Sequence, residues 1–286
     1  MSLAVKICGL STRETLDAAL EAGADMVGFV FFPPSPRHLA LDVARELGQR
    51  VKQRAVKVAL TVNADDATLA GIVEVLQPDI LQLHGRETPA RVTEIKRKFD
   101  REVMKALPVE SKADLASLSS YAGVCDRILF DAHPPKGATR PGGLGAVFDW
   151  HVLENLDLKL PFMVSGGLNA GNVADAVRVT RATGVDVSSG VERAPGIKDV
   201  DMIRDFIRAA RAADLPSPLP VYGERSDRVS DPGEGEPSRT SLSSILQKEP
   251  LTPTLSPHPP SPEGGLQRTS ERGEGVERVR QGGKKS

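Results

Sequence analysis

Cysteine occurs only twice in the 286 residues, as Cys8 and Cys125, too few for a disulfide framework and suited to a reducing cytosol. Surplus charge is missing as well: 37 Lys and Arg stand against 38 Asp and Glu. That balance gives no basic excess to favour nucleic acid or an anionic membrane. No apolar run approaches a membrane span, and the opening MSLAVKICGLSTRE lacks the apolar core of a signal peptide. The expectation is a soluble, cytoplasmic protein with no nucleic-acid or membrane partner. The five histidines form no i, i+4 pair and accompany no Cys-x-x-Cys set, so no metal is expected. A G-x-S-x-G elbow is absent, which argues against a Ser-His-Asp hydrolase.

What is present divides the chain in two. Near Asp214 the composition changes: residues 214–286 hold 11 of the 22 prolines among polar, Glu-, Arg- and Gly-rich stretches. Such a segment buries too little apolar surface to offset its chain entropy and is expected to be disordered. SLSSILQ (241–247) is its only apolar island. Residues 1–213 instead alternate short β-branched runs with helical patterns, the signature of βαβ units around a parallel sheet. The expected strands are Ala4–Ile7, Met26–Phe31, Val56–Thr61, Ile80–Leu83, Glu102–Lys105, Arg127–Phe130, Phe162–Val164 and Val185–Val187. Ser11 with Glu14 has capping-box spacing, Asn63 precedes a helix reaching about Leu76, and Thr88 with Pro89 reads as an N-cap followed by proline at N1. Further helices fit Asp42–Lys52, Asp114–Ser120, Asp149–Asn155, Asn172–Arg181 and Val200–Ala213. Eight strand–helix repeats in about 213 residues predict a single-domain (β/α)8 TIM barrel, near the lower size bound of about 200. An open doubly wound sheet is disfavoured because no Gly-rich fingerprint follows the first strand.

Barrel active sites sit where strands end and βα-loops begin. SGGLNAGN (165–172) and SSGVE (188–192) follow strands seven and eight. A single Gly-Gly pair is ordinarily a turn, but two Ser/Gly clusters on adjacent strands at that end favour a phosphate held by backbone N–H groups. Cys8 stands at the end of strand one. Most free cysteines are small packed residues; Lys6, on the same side of the strand, could instead lower the thiol's pKa if both face the lumen. Asp131 follows an apolar strand, where a carboxylate is costly unless exposed or paired, and a carboxyl partly buried in a cleft is suited to donating a proton. His84, ending strand four, reads equally as a structural or a ligand-facing histidine. Arg37 lies in the proline-rich loop FFPPSPRH, either on the surface or held to bind a carboxylate bidentately. Cys125 precedes strand six, away from the catalytic end, and is expected to pack.

The ordered motifs KICGL (6–10), GFVFFPPSPR (28–37), LQLHG (81–85), LFDA (129–132), PGGLGAVFDW (141–150), SGGL (165–168), DVSSGVE (186–192) and PGIKD (195–199) together resemble the phosphoribosylanthranilate isomerase family of tryptophan biosynthesis. The resemblance covers essentially all of residues 1–213. It implies a cofactor-free Amadori rearrangement of N-(5-phosphoribosyl)anthranilate, a small phosphorylated substrate, by a monomer or homodimer. It further implies Asp131 as general acid, Cys8 as general base and Arg37 at the anthranilate carboxylate. Asp186 would assist at the anthranilate end beside His84, and Gly166, Gly167, Ser188, Ser189 and Gly190 would hold the phosphate. Leu144 departs from the pattern, standing where the family's glycine loop commonly has a polar residue. The barrel isomerase of histidine biosynthesis performs the same chemistry but resembles the chain less, since its base is a carboxylate where Cys8 stands. A non-catalytic phosphate-ligand binder is disfavoured by the presence of both Cys8 and Asp131.

Overall fold

The computed structural model describes residues 2–134, 137–138 and 140–214; the expectation of disorder for the tail falls on residues outside these, Asp214 apart. Eight parallel strands close a barrel in sequence order: β1 Ala4–Cys8, β2 Met26–Phe31, β3 Val56–Thr61, β4 Ile80–Leu83, β5 Glu102–Val109, β6 Arg127–Ala132, β7 Phe162–Val164 and β8 Gly184–Val187. Helices α1 Arg13–Glu21, α2 Leu41–Val51, α3 Asp66–Leu76, α4 Pro89–Phe99, α5 Leu118–Ala122, α6 Val173–Thr180 and α7 Val200–Ala213 lie between or after them. β9 Glu192–Ala194 and β10 Ile197–Lys198 form a small antiparallel hairpin beyond β8.

Alternation along the strands separates two apolar layers. Met26, Val58, Ile80, Met104, Ala106, Leu129 and Met163 pack together inside the barrel. The opposite faces, among them Val5, Ile7, Val27, Phe29, Val103 and Phe130, pack with the helices. Because Ile7 points outward, Lys6 and Cys8 share the lumen face with Ala4. Cys125 packs in the outer layer, its thiol donating to the Tyr121 carbonyl at 3.1 Å.

At the opposite end from the site, three strand junctions share one device. Asp25, Asp79 and Asp126 each precede an even-numbered strand, and each carboxylate accepts the N–H of a residue on the preceding strand. The donors are Val5, Lys57 and Val103, at 2.6, 2.7 and 2.9 Å. These bonds satisfy backbone groups at the barrel's lower rim that the ladder leaves open.

Several local expectations need correction. The first helix is capped not by Ser11 with Glu14 but by Thr12, whose hydroxyl accepts the Thr15 N–H. Asp65, rather than Asn63, caps α3 through the Thr68 N–H, while Asn63 adopts a left-handed conformation. The Asp114–Ser120 helix is a 3-10 segment, Lys112–Ser117, followed by the five-residue α5. Asp114 takes the N–H groups of Glu110 and Ser111 and so closes a turn instead of starting an α-helix. Asp149–Asn155 is a single 3-10 turn, Trp150–Leu153, capped by Asp149. Thr88 and Pro89 start α4 as expected, and α7 has the expected bounds.

Candidate active site

The strand ends place Cys8, Arg37, His84, Asp131, Ser165, Gly166, Gly167, Asp186, Ser188 and Ser189 on one cavity at the C-terminal mouth, and Leu144 lines it from the glycine loop. Gly190 is not among the lining residues. It supports the cavity from behind, where a Cβ would run into the Leu168 carbonyl oxygen. Gly190→Ala is therefore expected to disrupt this corner of the barrel, seen as lost soluble expression or a fall of several degrees in Tm, rather than a selective loss of anion affinity. A folded Gly190→Ala protein with unchanged Tm would contradict that packing argument.

Gly166 and Gly167 both lie at positive φ, +88° and +62°, which glycine adopts without strain. Among the described residues neither N–H donates to a protein acceptor, and both residues line the cavity. Ser188 and Ser189 close the other side of this corner. Such a concave set of N–H groups suits a phosphate.

Cys8 is buried beneath the cavity with Lys6 and Asp186. The Lys6 ammonium lies 2.9 Å from Asp186 Oδ1, and both groups are almost wholly excluded from solvent. Room for the thiol comes from Gly28 on β2, where a Cβ would stand 3.0 Å from Cys8 Sγ and 3.1 Å from Lys6 Nζ. Burial pushes the thiol above its ordinary pKa; Lys6 opposes this, Asp186 adds to it, and Lys198 opposes it again. Lys6 thus acts in the expected direction, but desolvation outweighs it. Burial also pushes the Asp186 carboxyl up against the pull of Lys6.

Arg37 is buried, not on the surface, and already engaged. Its Nε and Nη2 donate to the two oxygens of Glu192, each at 2.7 Å, and Nη2 also reaches the Gly143 carbonyl at 3.1 Å. Glu192 in turn accepts from Lys198 at 2.8 Å. Lys198 donates to the Ser188 carbonyl at 2.8 Å, and the Ser188 hydroxyl donates to the Cys8 carbonyl at 3.1 Å. Burial would raise the Glu192 carboxyl, but Arg37 and Lys198 outweigh it and hold it below the usual range. Burial lowers Lys198 to about 8 despite Glu192. Neither Glu192 nor Lys198 was among the sequence candidates. Both sit on the β9–β10 hairpin, whose strands are too short to show periodicity.

His84 lines the cavity. Its Nε2 lies 3.1 Å from Asp131 Oδ2, and its Nδ1 lies 3.1 Å from the amide nitrogen of buried Gln82. With that amide donating to Nδ1, the hydrogen sits on Nε2 and points at the Asp131 carboxylate. Asp131 Oδ1 accepts the Ala132 N–H at 3.0 Å. Gly142 leaves space above this pair: a Cβ there would stand 2.5 Å from Asp131 Oδ2.

Comparison with known proteins decides the family. The family model described as N-(5'-phosphoribosyl)anthranilate (PRA) isomerase matches residues 5–209. The chain belongs to the N-(5'-phosphoribosyl)anthranilate isomerase family. The relative from Bradyrhizobium sp. (strain ORS 278), named N-(5'-phosphoribosyl)anthranilate isomerase, is 73% identical over 214 residues, covering 75% of this chain and 98% of its own length. The Nitrobacter hamburgensis protein of the same name is 70% identical over 215 residues, 75% of this chain and 96% of its own. Among solved structures, the Thermotoga maritima phosphoribosyl anthranilate isomerase superposes with a TM-score of 0.67 at 36% identity, covering 73% of this chain and 99% of that one. A further phosphoribosyl anthranilate isomerase, in complex with reduced 1-(o-carboxyphenylamino)-1-deoxyribulose 5-phosphate, matches with a TM-score of 0.64 at 33% identity, over 73% of this chain and 99% of its own. The motifs that carried the sequence resemblance all fall within the matched residues.

Proposed function

We propose that this chain converts N-(5-phosphoribosyl)anthranilate to 1-(2-carboxyphenylamino)-1-deoxyribulose 5-phosphate, the isomerisation step of tryptophan biosynthesis, and that residues 1–213 form the catalytic domain. One observation carries the reading: a thiol on β1 and a carboxyl on β6 open onto the same cavity as the Gly166–Gly167 corner. Isomerisation at a carbon next to a C=N group needs an acid and a base on separate sites of one ligand held at its far end.

In this mechanism Asp131 gives its proton to the ribose ring oxygen, breaking the C–O bond and leaving a protonated Schiff base. The Cys8 thiolate removes the proton from the adjacent sugar carbon, and the electron pair moves into the enolamine. Tautomerisation to the ketone completes the reaction with no net redox change. His84, hydrogen-bonded to Asp131, positions the carboxyl. Gly166, Gly167, Ser188 and Ser189 hold the phosphate. Arg37 and Asp186, both on the cavity wall, serve the anthranilate end.

A thiol base raised by burial sets the sign of the pH dependence. In the free enzyme the thiolate is a minority at neutral pH, and its fraction grows as pH rises, so the thiolate ultraviolet absorbance that Cys8→Ser abolishes is expected to increase between pH 7 and 9. Lys198 loses its charge near pH 8 and with it one of the influences favouring the thiolate, so the rise should fall short of about tenfold per pH unit. Cys8-dependent absorbance already at its full value at pH 7 would contradict a thiol raised by burial.

Assaying the purified chain with N-(5-phosphoribosyl)anthranilate, and separately with the aminoaldose substrate of the histidine-pathway barrel isomerase, tests the assignment. Turnover of the first alone is the expected result. Turnover of the second alone, or of neither, would overturn it. We place the reaction in the cytoplasm; no helix among the described residues is long and apolar enough to cross a membrane. A monomer or homodimer remains the proposed assembly.

A further inference from the structure

Among the described residues Arg37 has one carboxylate partner and Arg140 has none. Both guanidinium groups converge on one atom: Arg37 Nη2 and Arg140 Nη2 donate to the Gly143 carbonyl at 3.1 and 3.4 Å. Arg37 is neutralised by its bidentate bond to Glu192. Arg140 makes no ion pair with the described residues, and its Nε is buried with no hydrogen-bond partner. It also lines the cavity alongside Asp131 and His84, and lines a second recess that continues from the cavity past those two side chains.

A buried N–H on a charged group without an acceptor is costly. With Arg37 already paired to Glu192, the guanidinium left without an anion where the two meet at the Gly143 carbonyl is that of Arg140. The proposed substrate carries two anionic ends. Its phosphate is assigned to the corner over β7 and β8, and the aromatic carboxylate must lie at the far end of the ligand. We infer that Arg140 is a second binding residue for the substrate's aryl carboxylate, which it takes together with Arg37, so that ligand binding draws the glycine loop 140–145 over Asp131. The inference rests on the isomerase reading and names a residue at that same site.

Substrate binding would give Arg140 its missing acceptor and would interpose a negative charge between the two guanidinium groups. The planar fork of arginine suits a carboxylate, whereas lysine supplies charge without the bidentate geometry. Arg140 does not reach the reacting atoms in this arrangement and acts by binding.

The test uses two ligands on the full chain: reduced 1-(o-carboxyphenylamino)-1-deoxyribulose 5-phosphate and its anilino counterpart lacking the carboxylate. Calorimetry on wild type should show tighter binding of the carboxylated ligand. In Arg140→Met that ligand should bind about 10- to 100-fold more weakly, the range for one charged hydrogen-bonded contact, with the anilino ligand unaffected. Arg140→Lys should recover part of the loss. In turnover, KM should rise by a larger factor than kcat falls. Equal weakening of both ligands, or no weakening of either, would overturn the inference while leaving the isomerase activity of the wild type intact. If the wild type fails to convert N-(5-phosphoribosyl)anthranilate at all, the functional reading itself fails and takes Arg140's role with it.

Discussion

Cys8→Ser and Asp131→Asn should each slow turnover by about 10²- to 10⁴-fold, the range for loss of one positioned acid or base, while ligand affinity survives. Serine fits the space that Gly28 leaves, but its hydroxyl pKa lies far above that of a thiol, so the proton on the sugar carbon stays in place. Asparagine at 131 keeps the shape of the side chain and an oxygen for the Ala132 N–H seen at 3.0 Å, while its amide nitrogen no longer accepts from His84 Nε2. What it loses is the proton that opens the ring. Neither residue belongs to the Gly166–Gly167 corner, so titration with inorganic phosphate should give wild-type affinity in both variants. Single-turnover rates separate chemistry from product release. A Cys8→Ser enzyme with near wild-type single-turnover rate would remove the thiol from the mechanism and favour Asp186 as base. The same result for Asp131→Asn would move the acid role to His84.

The barrel itself was legible because its signals are local. Short apolar runs of three to six residues mark β2, β3, β4 and β7 with the bounds observed, and strand ends point directly to Cys8, His84 and Asp131. Boundaries went astray where local chemistry competes. β5 was expected to stop at Lys105 but runs through Pro108 to Val109, since a proline near a strand's end gives up one donor while its neighbours still pair with β6. Thr12 rather than Ser11 caps α1, a difference of one residue between two equally suited hydroxyls. The electrostatic frame was less legible because its partners are far apart in sequence. Lys6 was noticed for its closeness to Cys8, yet its ion-pair partner Asp186 lies 180 positions away. Arg37 meets Glu192 across 155 positions, and only the closed barrel brings β1 against β8. The hairpin bearing Glu192 and Lys198 has strands of three and two residues, and Arg140 precedes the glycine loop with nothing in its own spacing to mark it.

Lys6→Met is expected to have the largest effect on stability of any substitution at the site. Wild-type Lys6 is fully buried against Asp186 and beneath Cys8. Methionine fills similar volume but leaves the carboxylate without its cation, and removing one member of a buried pair costs about 3–5 kcal/mol. Burial already raises the Asp186 carboxyl with Lys6 present, and without Lys6 the rise must be larger. The native variant then binds more protons than the unfolded chain at every pH between the unfolded carboxyl value, about 3.9, and the raised native one. Stability must accordingly fall as pH increases across that interval, so the variant should be most stable at the acid end, where Asp186 is neutral in both states. The Cys8 thiol loses the main influence opposing its desolvation, so turnover at neutral pH should drop as well, with recovery only at higher pH. Urea unfolding of Lys6→Met and of Lys6→Met/Asp186→Asn at pH 5 and pH 8 separates the causes. Asp186→Asn should restore most of the lost stability and remove most of its pH dependence, while leaving turnover low. Equal stability of Lys6→Met and wild type at pH 8 would mean that Asp186 is neutral in the native barrel and that the Lys6–Asp186 contact is not an ion pair.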